Sequence, residues 1–413
     1  NSVCAKSLAA SRIIICSSDK LKSIDSYFIV FAILSPKDIN FITYIQLTFV
    51  IFTDMNTKEI FAIGIMSGTS LDGIDLVYVK FLENNFHYFE IVHAETVAYS
   101  KKWKSTLQKA MHFSSEDLAL LNTQYGFFLG ELACDFIKRN QLQKIDFIAS
   151  HGHTILHQPK EGITLQVGDG QVIANVTNQQ VVCDFRTQDV LLGGQGAPLV
   201  PIGDELLFSN YDFCLNLGGF SNISYLEKGK RIAFDVCPVN IVLNAYAHQL
   251  GVEFDDAGTL SSRGSLNSLL LEKLNSLNYY NEKPPKSLGL EWVKEHVFPL
   301  IDRLETDVLS VLRTFVEHIA VQISQVIQKN NSVLITGGGV FNSFLIKRIE
   351  AISGTEILLP KKELIEYKEA LIFALLGFLK LCDRVNCLSS VTGAKKDHSS
   401  GVVFLPEKQL SNT

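Results

Sequence analysis

From Glu59 onward the chain alternates short apolar runs with longer segments of helical spacing. "EIFAIGIM" and "IDLVYVKFL" have the length and β-branched content of strands, and "NFHYFEIVHAETVAYS" predicts a third. Residues 101–111 and 115–140 repeat apolar side chains at helical intervals, which predicts two helices, the second capped by Ser114 or Ser115. The run "IDFIAS" leads into "HGHTILHQP", and "ITLQVGDGQVIANVT" and "QQVVCDFRTQDVLLGGQGAPLVP" follow. At "YDFCLNLGGFSNISYLEKGKRIAFDV" the same order restarts with a strand, a Gly/Ser/Asn turn and two more strands. Helices at about 239–250, 264–276 and 307–329 come next. "SVLITGGGVFN" reads as a buried strand ending in glycines, and "YKEALIFALLGFLKLC" as a helix. The halves share this order but no readable residue repeat. The pattern predicts an α/β fold of two architecturally duplicated domains, with mixed sheets covered by helices. The Leu, Ile and Phe stripes of the long helices are assigned to core.

Composition narrows the partners. A chain of 413 residues is long enough for two domains with a cleft between them. The formal charge is −6, with no long basic block, which argues against nucleic acid or an anionic membrane as partner. The eight cysteines form no CxxC pair and no zinc-finger spacing, so a reduced, cytoplasmic setting is expected, with buried thiols as filler. The chain begins at Asn1 and its first methionine is Met55. Residues 27–53 are apolar but broken by Pro36, Lys37, Asp38 and Asn40, short of the roughly 20 uninterrupted residues of a spanning helix. No signal-peptide order is visible either. Residues 1–54 are therefore expected to be a non-native or disordered extension, or a membrane anchor if native. The expected domains are 55–190, with 381–413 packing back on it, and 191–380.

Three glycine sites hold the chemistry. In "GIMSGTSLDGIDL" small and hydroxyl residues separate two strands, which suits either a plain hairpin turn or a cradle of backbone N–H groups for phosphate. No Lys-Ser/Thr follows, as a Walker A loop requires, and no helix follows, as a dinucleotide fingerprint requires. "LNLGGFSNISYL" sets Gly218, Gly219, Ser221 and Asn222 at the corresponding place of the second half. Gly337, Gly338 and Gly339 end a buried strand near Asn342, where backbone can approach a base or ribose. Two facing hairpins and a third glycine site predict a nucleotide clamp. Its expected contacts are Gly68, Thr69, Ser70, Leu71, Asp72, Gly73, Ile74, Asp75, Gly218, Gly219, Ser221, Asn222, Gly337, Gly338 and Asn342. Asp72, with Asp75 beside it, is the candidate for a magnesium ion held through phosphates.

Read in order, "GIMSGTSLDGIDL", "LQVGDG", "DFRTQDVLLGGQGAPLVP", "LNLGGFSNIS", "FDVCPVNIVLNA", "PPKSLGLEW", "ITGGGVFN" and "SSVTGA" resemble the anhydro-N-acetylmuramic acid kinases over about residues 60–405. The resemblance implies an actin-like ATPase (ribonuclease H-like) fold with ATP between two related domains and Mg2+ as the metal. It implies hydrolytic opening of 1,6-anhydro-N-acetylmuramic acid with phosphorylation of O6, in cell-wall sugar recycling. The partners it implies are ATP and a small amino sugar, with a homodimer as a further expectation.

Water attacking an anomeric carbon needs a base. Asp235 in "FDVCPVN", at a strand end before a helix, matches the family's catalytic aspartate; a cap for that helix is its structural alternative. Glu369 in "YKEALIF" matches a second carboxylate near the sugar. His151, Gln166, Gly168 and Asp184 are the expected sugar-site residues. Asp184, Arg186 and Asp189 in "CDFRTQD" are the runner-up group, a trio that more often makes a charge-satisfied structural network than a catalytic centre. His151, His153 and His157 lack the HExxH pattern of a helical zinc site, and His153 stands where relatives often have Gln. Val239 stands where many relatives have Gly, which questions the loop geometry that aims Asp235. The rival functions are a kinase for another sugar on the same fold and a chaperone-type nucleotide-binding module.

Overall fold

The computed structural model describes residues 58–68, 71–327, 331–357 and 359–407. The 1–54 extension and the expected contacts Thr69 and Ser70 lie outside the described residues. Eleven strands occur among the described residues: β1 Glu59–Ser67, β2 Ile74–Leu82, β3 Asn85–Val97, β4 Phe147–Gln158, β5 Ile163–Val167, β6 Val181–Cys183, β7 Phe213–Leu217, β8 Phe220–Glu227, β9 Lys230–Pro238, β10 Val333–Thr336 and β11 Val402–Phe404. They form a seven-stranded sheet of order β11-β6-β4-β1-β2-β3, with β5 on β4, and a four-stranded sheet of order β10-β7-β8-β9.

The duplication expected from the pattern is present in the pairing. β1, β2 and β3 form an antiparallel meander, and β4 runs parallel to β1. β7, β8 and β9 form the same meander, and β10 runs parallel to β7. Hairpins link the meanders because antiparallel neighbours can turn directly, whereas the parallel fourth strand needs a helical crossover. The helix Ser115–Arg139 supplies part of the first crossover, capped by Ser114, whose hydroxyl accepts from Asp117 N. The helices Asn240–Gln249, Ser268–Asn275 and Val308–Val326 lie within the second. "HGHTILHQ" continues the strand begun by "IDFIAS" as the longer part of β4, where β5 joins it. The helix Ser343–Ser353 is an element the apolar spacing did not predict.

Helix Lys362–Leu381 holds the two sheets together. Its residues 370–376 share one core with Ala62, Val77 and Ala149 of the large sheet and with Cys214 and Leu334 of the small one. The approach is close enough that a Cβ on Gly64 would lie 2.2 Å from the Ala370 carbonyl oxygen. Separate cores cover the outer faces, one under Ser115–Arg139 and one under Val308–Val326. Among the described residues no helix is long and apolar enough to cross a membrane.

Candidate active site

The β1–β2 tip sits on a buried polar network. The Ser67 hydroxyl, at the end of β1, shares hydrogen bonds with Tyr99, with Tyr125 at 2.8 Å and with His153 Nδ1 at 3.0 Å. Burial holds His153 down to about 4, so its ring is neutral, and raises both tyrosines, which keeps their protons. Beyond Ser67 the turn closes with Leu71 N–H donating to Gly68 O at 3.3 Å. Leu71 takes a left-handed φ of 61°, and its side chain is buried under the tip together with Ile74. Asp72 is exposed. A side chain on Gly73 would meet Thr96 at 2.5 Å, so only glycine fits that close approach. Asp75 accepts from Thr96 Oγ1 at 2.6 Å. Burial raises its carboxyl, Thr96 opposes this, and Glu366 and Asp72 add to the rise.

Helix Lys362–Leu381 brings Glu369 to the same place. Solvent reaches the Glu369 side chain, yet protein crowds it enough to raise its carboxyl. Arg186 and Lys368 oppose the rise and Asp75 adds to it. Arg186 is itself fixed: its Nε donates to His151 Nε2 at 3.0 Å and its terminal nitrogen to Gly196 O at 2.5 Å. His151 bonds Gly152 O through Nδ1 at 2.9 Å, so the neutral Nδ1–H tautomer satisfies both partners. Burial pulls Arg186 down to about 10, and Glu369 pulls it back up.

The other members of "CDFRTQD" divide. Asp184, with a left-handed φ of 56°, accepts from Thr187 N at 3.3 Å. Asp189 is wholly buried and accepts from Gly196 N and Thr392 Oγ1, each at 2.7 Å. Gln166 is half-buried and donates to Thr164 Oγ1 at 2.9 Å. Gly168 is buried, its N–H donating to Asn122 Oδ1 at 2.8 Å, so it packs toward the helix Ser115–Arg139.

On the small sheet Asp235 lies opposite Asn222, which is exposed. Its Oδ2 accepts from Leu288 N at 2.8 Å, and its backbone N–H donates to Lys286 O at 3.2 Å. The segment "PPKSLGL" therefore aims this carboxylate through main-chain bonds. Burial raises the Asp235 carboxyl and the Leu288 N–H partly offsets it. Val239 is fully buried, with φ −128° and ψ −99°, so this position does not use a left-handed φ, though its ψ lies outside the usual regions.

Of the remaining glycines, Gly338 and Gly339 line a cavity of about 510 Å³ with Asn240, Asn342 and Glu366, and Gly218, Gly219 and Gly337 do not. The turn Gly218–Gly219 joins the start of helix Asn240–Gln249, accepting from Asn240 N at 3.2 Å and Val239 N at 2.8 Å. Gly337 has φ 87°, and a Cβ there would meet Asn216 Oδ1 at 2.5 Å. Asn342 caps helix Ser343–Ser353, its Oδ1 accepting from Leu345 N at 2.9 Å. Ser221 is wholly buried, with its hydroxyl 3.7 Å from Cys237 Sγ. Sequence reasoning placed Ser67 in the glycine turn without counting it among the site contacts, and did not single out Tyr99, Tyr125, Thr96, Glu366, Asn240 or the Leu288 N–H. Tyrosines and a main-chain donor carry no motif that could have found them.

A family model described as anhydro-N-acetylmuramic acid kinase matches residues 60–406. An anhydro-N-acetylmuramic acid kinase of Pseudomonas syringae pv. syringae (strain B728a) is 33% identical over 372 residues, covering 84% of this chain and 99% of that protein. One of Mannheimia succiniciproducens is 32% identical over 368 residues, covering 83% and 98%. Among solved structures, component A of (R)-2-hydroxyglutaryl-CoA dehydratase from Acidaminococcus fermentans is similar with a TM-score of 0.42 at 14% identity, covering 78% of this chain and 99% of that one. A xylulose kinase from Lactobacillus acidophilus is similar with a TM-score of 0.38 at 11% identity, covering 84% and 94%.

Proposed function

The chain belongs to the anhydro-N-acetylmuramic acid kinase family, and from that premise we propose that it opens 1,6-anhydro-N-acetylmuramic acid with water and transfers the γ-phosphoryl group of ATP to O6. One observation carries the assignment of the site. Glu366 lines the glycine-walled cavity, and three residues along the same helix Glu369 lies within electrostatic reach of Arg186 and Asp75. A nucleotide-sized pocket and a charged polar site thus adjoin on one rigid element.

In this reading the two duplicated halves form an actin-like ATPase fold. The adenosine occupies the cavity at Gly338, Gly339 and Asn342, and the phosphates lie along Gly68, Gly73, Gly218 and Gly219, whose backbone N–H groups suit anion binding. Asp72, Asp75 and Glu366 are carboxylates placed near one another, a hard-oxygen donor set that suits Mg2+. When bound, that ion neutralises phosphate charge. Asp235 takes a proton from water as the oxygen attacks the anomeric carbon, the ether bond to O6 breaks, and O6 accepts the phosphoryl group. The products are N-acetylmuramic acid 6-phosphate and ADP. A raised pKa suits Asp235 to this task, because a base nearer neutrality takes the proton more effectively. His151, Arg186 and Glu369 form the wall that orients the sugar. The six described cysteines are all free thiols, in keeping with a cytoplasmic setting.

The test is ADP release measured with the anhydro sugar beside ordinary hexoses. Turnover on hexoses without turnover on the anhydro sugar would establish a kinase for a different sugar. Asp235→Asn should abolish turnover and keep ATP binding; near-wild-type kcat in that variant would move the base to Asp184 or Glu369.

A further inference from the structure

Behind the Arg186 clamp lies a second cluster that the reaction does not use. Asp189 is wholly buried, and around its Oδ1 stand Cys387 Sγ at 3.1 Å, His398 Nε2 at 3.6 Å and Thr392 Oγ1 at 2.7 Å. The donor atoms of Asp189, Cys387 and His398 all lie within 4.8 Å of one another. Zinc bonds of about 2.0–2.3 Å give tetrahedral edges of roughly 3.3–3.6 Å, so the spacing requires shifts of only tenths of an ångström along the two edges from Asp189.

His398 supplies an independent sign. It is 6% exposed, and its Nε2 has no hydrogen-bond partner among the described residues. Its other nitrogen, Nδ1, lies 3.1 Å from Lys396 O. A donated Nδ1–H leaves the Nε2 lone pair pointing at the cluster. Metal-bound histidines are oriented by this kind of second bond. A buried, unbonded ring nitrogen would otherwise be a net cost.

We propose that Asp189, Cys387 and His398 bind one Zn2+-class cation, with the Thr392 hydroxyl or a water completing the tetrahedron. The thiol, kept protonated by burial in the free protein, loses its proton to solvent as the metal–sulfur bond forms. The site is structural. It ties the helix Thr187–Leu191 to the 387–398 segment, and Asp189 Oδ2 already holds Gly196 N, whose carbonyl receives Arg186. The metal would therefore stiffen the loop that positions Arg186 without touching substrate.

Titrating the full metal-free chain with Co2+ tests this. The expected result is a thiolate-to-cobalt charge-transfer band saturating at one equivalent, displaced by Zn2+, with one proton released per metal. Cys387→Ser should lose the band, and His398→Gln should weaken affinity by at least the roughly 10–100-fold that even outer-shell partners contribute. The double variant C134S/C382S should keep the band. Zinc should also raise the thermal midpoint of the wild-type chain and not of Cys387→Ser. No band in the wild type, a band that survives Cys387→Ser, or binding without proton release would overturn the proposal and leave an ordinary Asp189–His398 contact.

Discussion

Burial raises the pKa of both Asp235 and Glu369, and different partners act on each. Asp235, three residues before the end of β9 rather than at it, receives one main-chain donor, whereas Arg186 and Lys368 oppose the rise of Glu369 and Asp75 adds to it. A base must be ionised to act. Activity should therefore fall as pH drops through the raised Asp235 value, at higher pH than a free aspartate near 3.8 would give. The acidic limb of the kcat/KM profile measures this. Replacing Leu288 with proline removes the N–H that stabilises the ionised form, so the limb should move further up. An unchanged limb would assign it to another group. At this scale the glycine turns were legible in their local composition, whereas Asp235 was chosen on the family resemblance, and its place inside β9 rather than at its end came from the structure. Arg186 was not resolved, since "CDFRTQD" reads more readily as a structural network, and the structure divides it: Asp189 holds the loop, and Arg186 lies on His151 within electrostatic reach of Glu369.

Among elements, helix Lys362–Leu381 depends on Gly64. Gly64→Ala would push the strand from the helix, and overpacking of this kind costs about 1–3 kcal/mol. Urea denaturation should show the lower midpoint, and turnover should fall with it because Glu369 rides on that helix. The helices Val308–Val326 and Ser343–Ser353 are joined differently, by Glu317 between Arg313 at 2.8 Å and Arg348 at 2.7 Å. Burial pushes the Glu317 carboxyl up, but the two guanidinium groups outweigh it and hold it below 4.5. Its stabilisation is therefore complete above about pH 4.5 and is lost as pH falls through the lowered folded value. Glu317→Gln should cost about 3 kcal/mol at neutral pH, and the gap to wild type should narrow on acidification. The long helices and the meander strands were legible because their apolar periods are sustained. Helix Ser343–Ser353 was not, its cap Asn342 having been read only as a nucleotide contact.

In the whole molecule, a buried ion pair ties the helix Lys362–Leu381 to the small sheet. Lys368 of the central helix lies 2.6 Å from Asp204, whose other oxygen accepts from Ser224 of β8 at 2.5 Å. Burial pulls the Lys368 ammonium down, and Asp204 more than restores it. Asp204→Ala would leave that cation buried without its partner, at about 3–5 kcal/mol, measurable as a lower denaturation midpoint. A loss under about 1 kcal/mol would show that water or a neighbouring group replaces the carboxylate. The sequence by itself determined the α/β class, the duplicated strand order, the glycine turns and the family, because each is written in local periods and contiguous motifs. The tertiary structure decided which groups meet: the Ser67 network, Arg186 on His151, Leu288 N–H on Asp235, and Asp189 with Cys387 and His398. These contacts join residues up to two hundred positions apart, or pass through main-chain donors that every residue carries, so no local pattern encodes them.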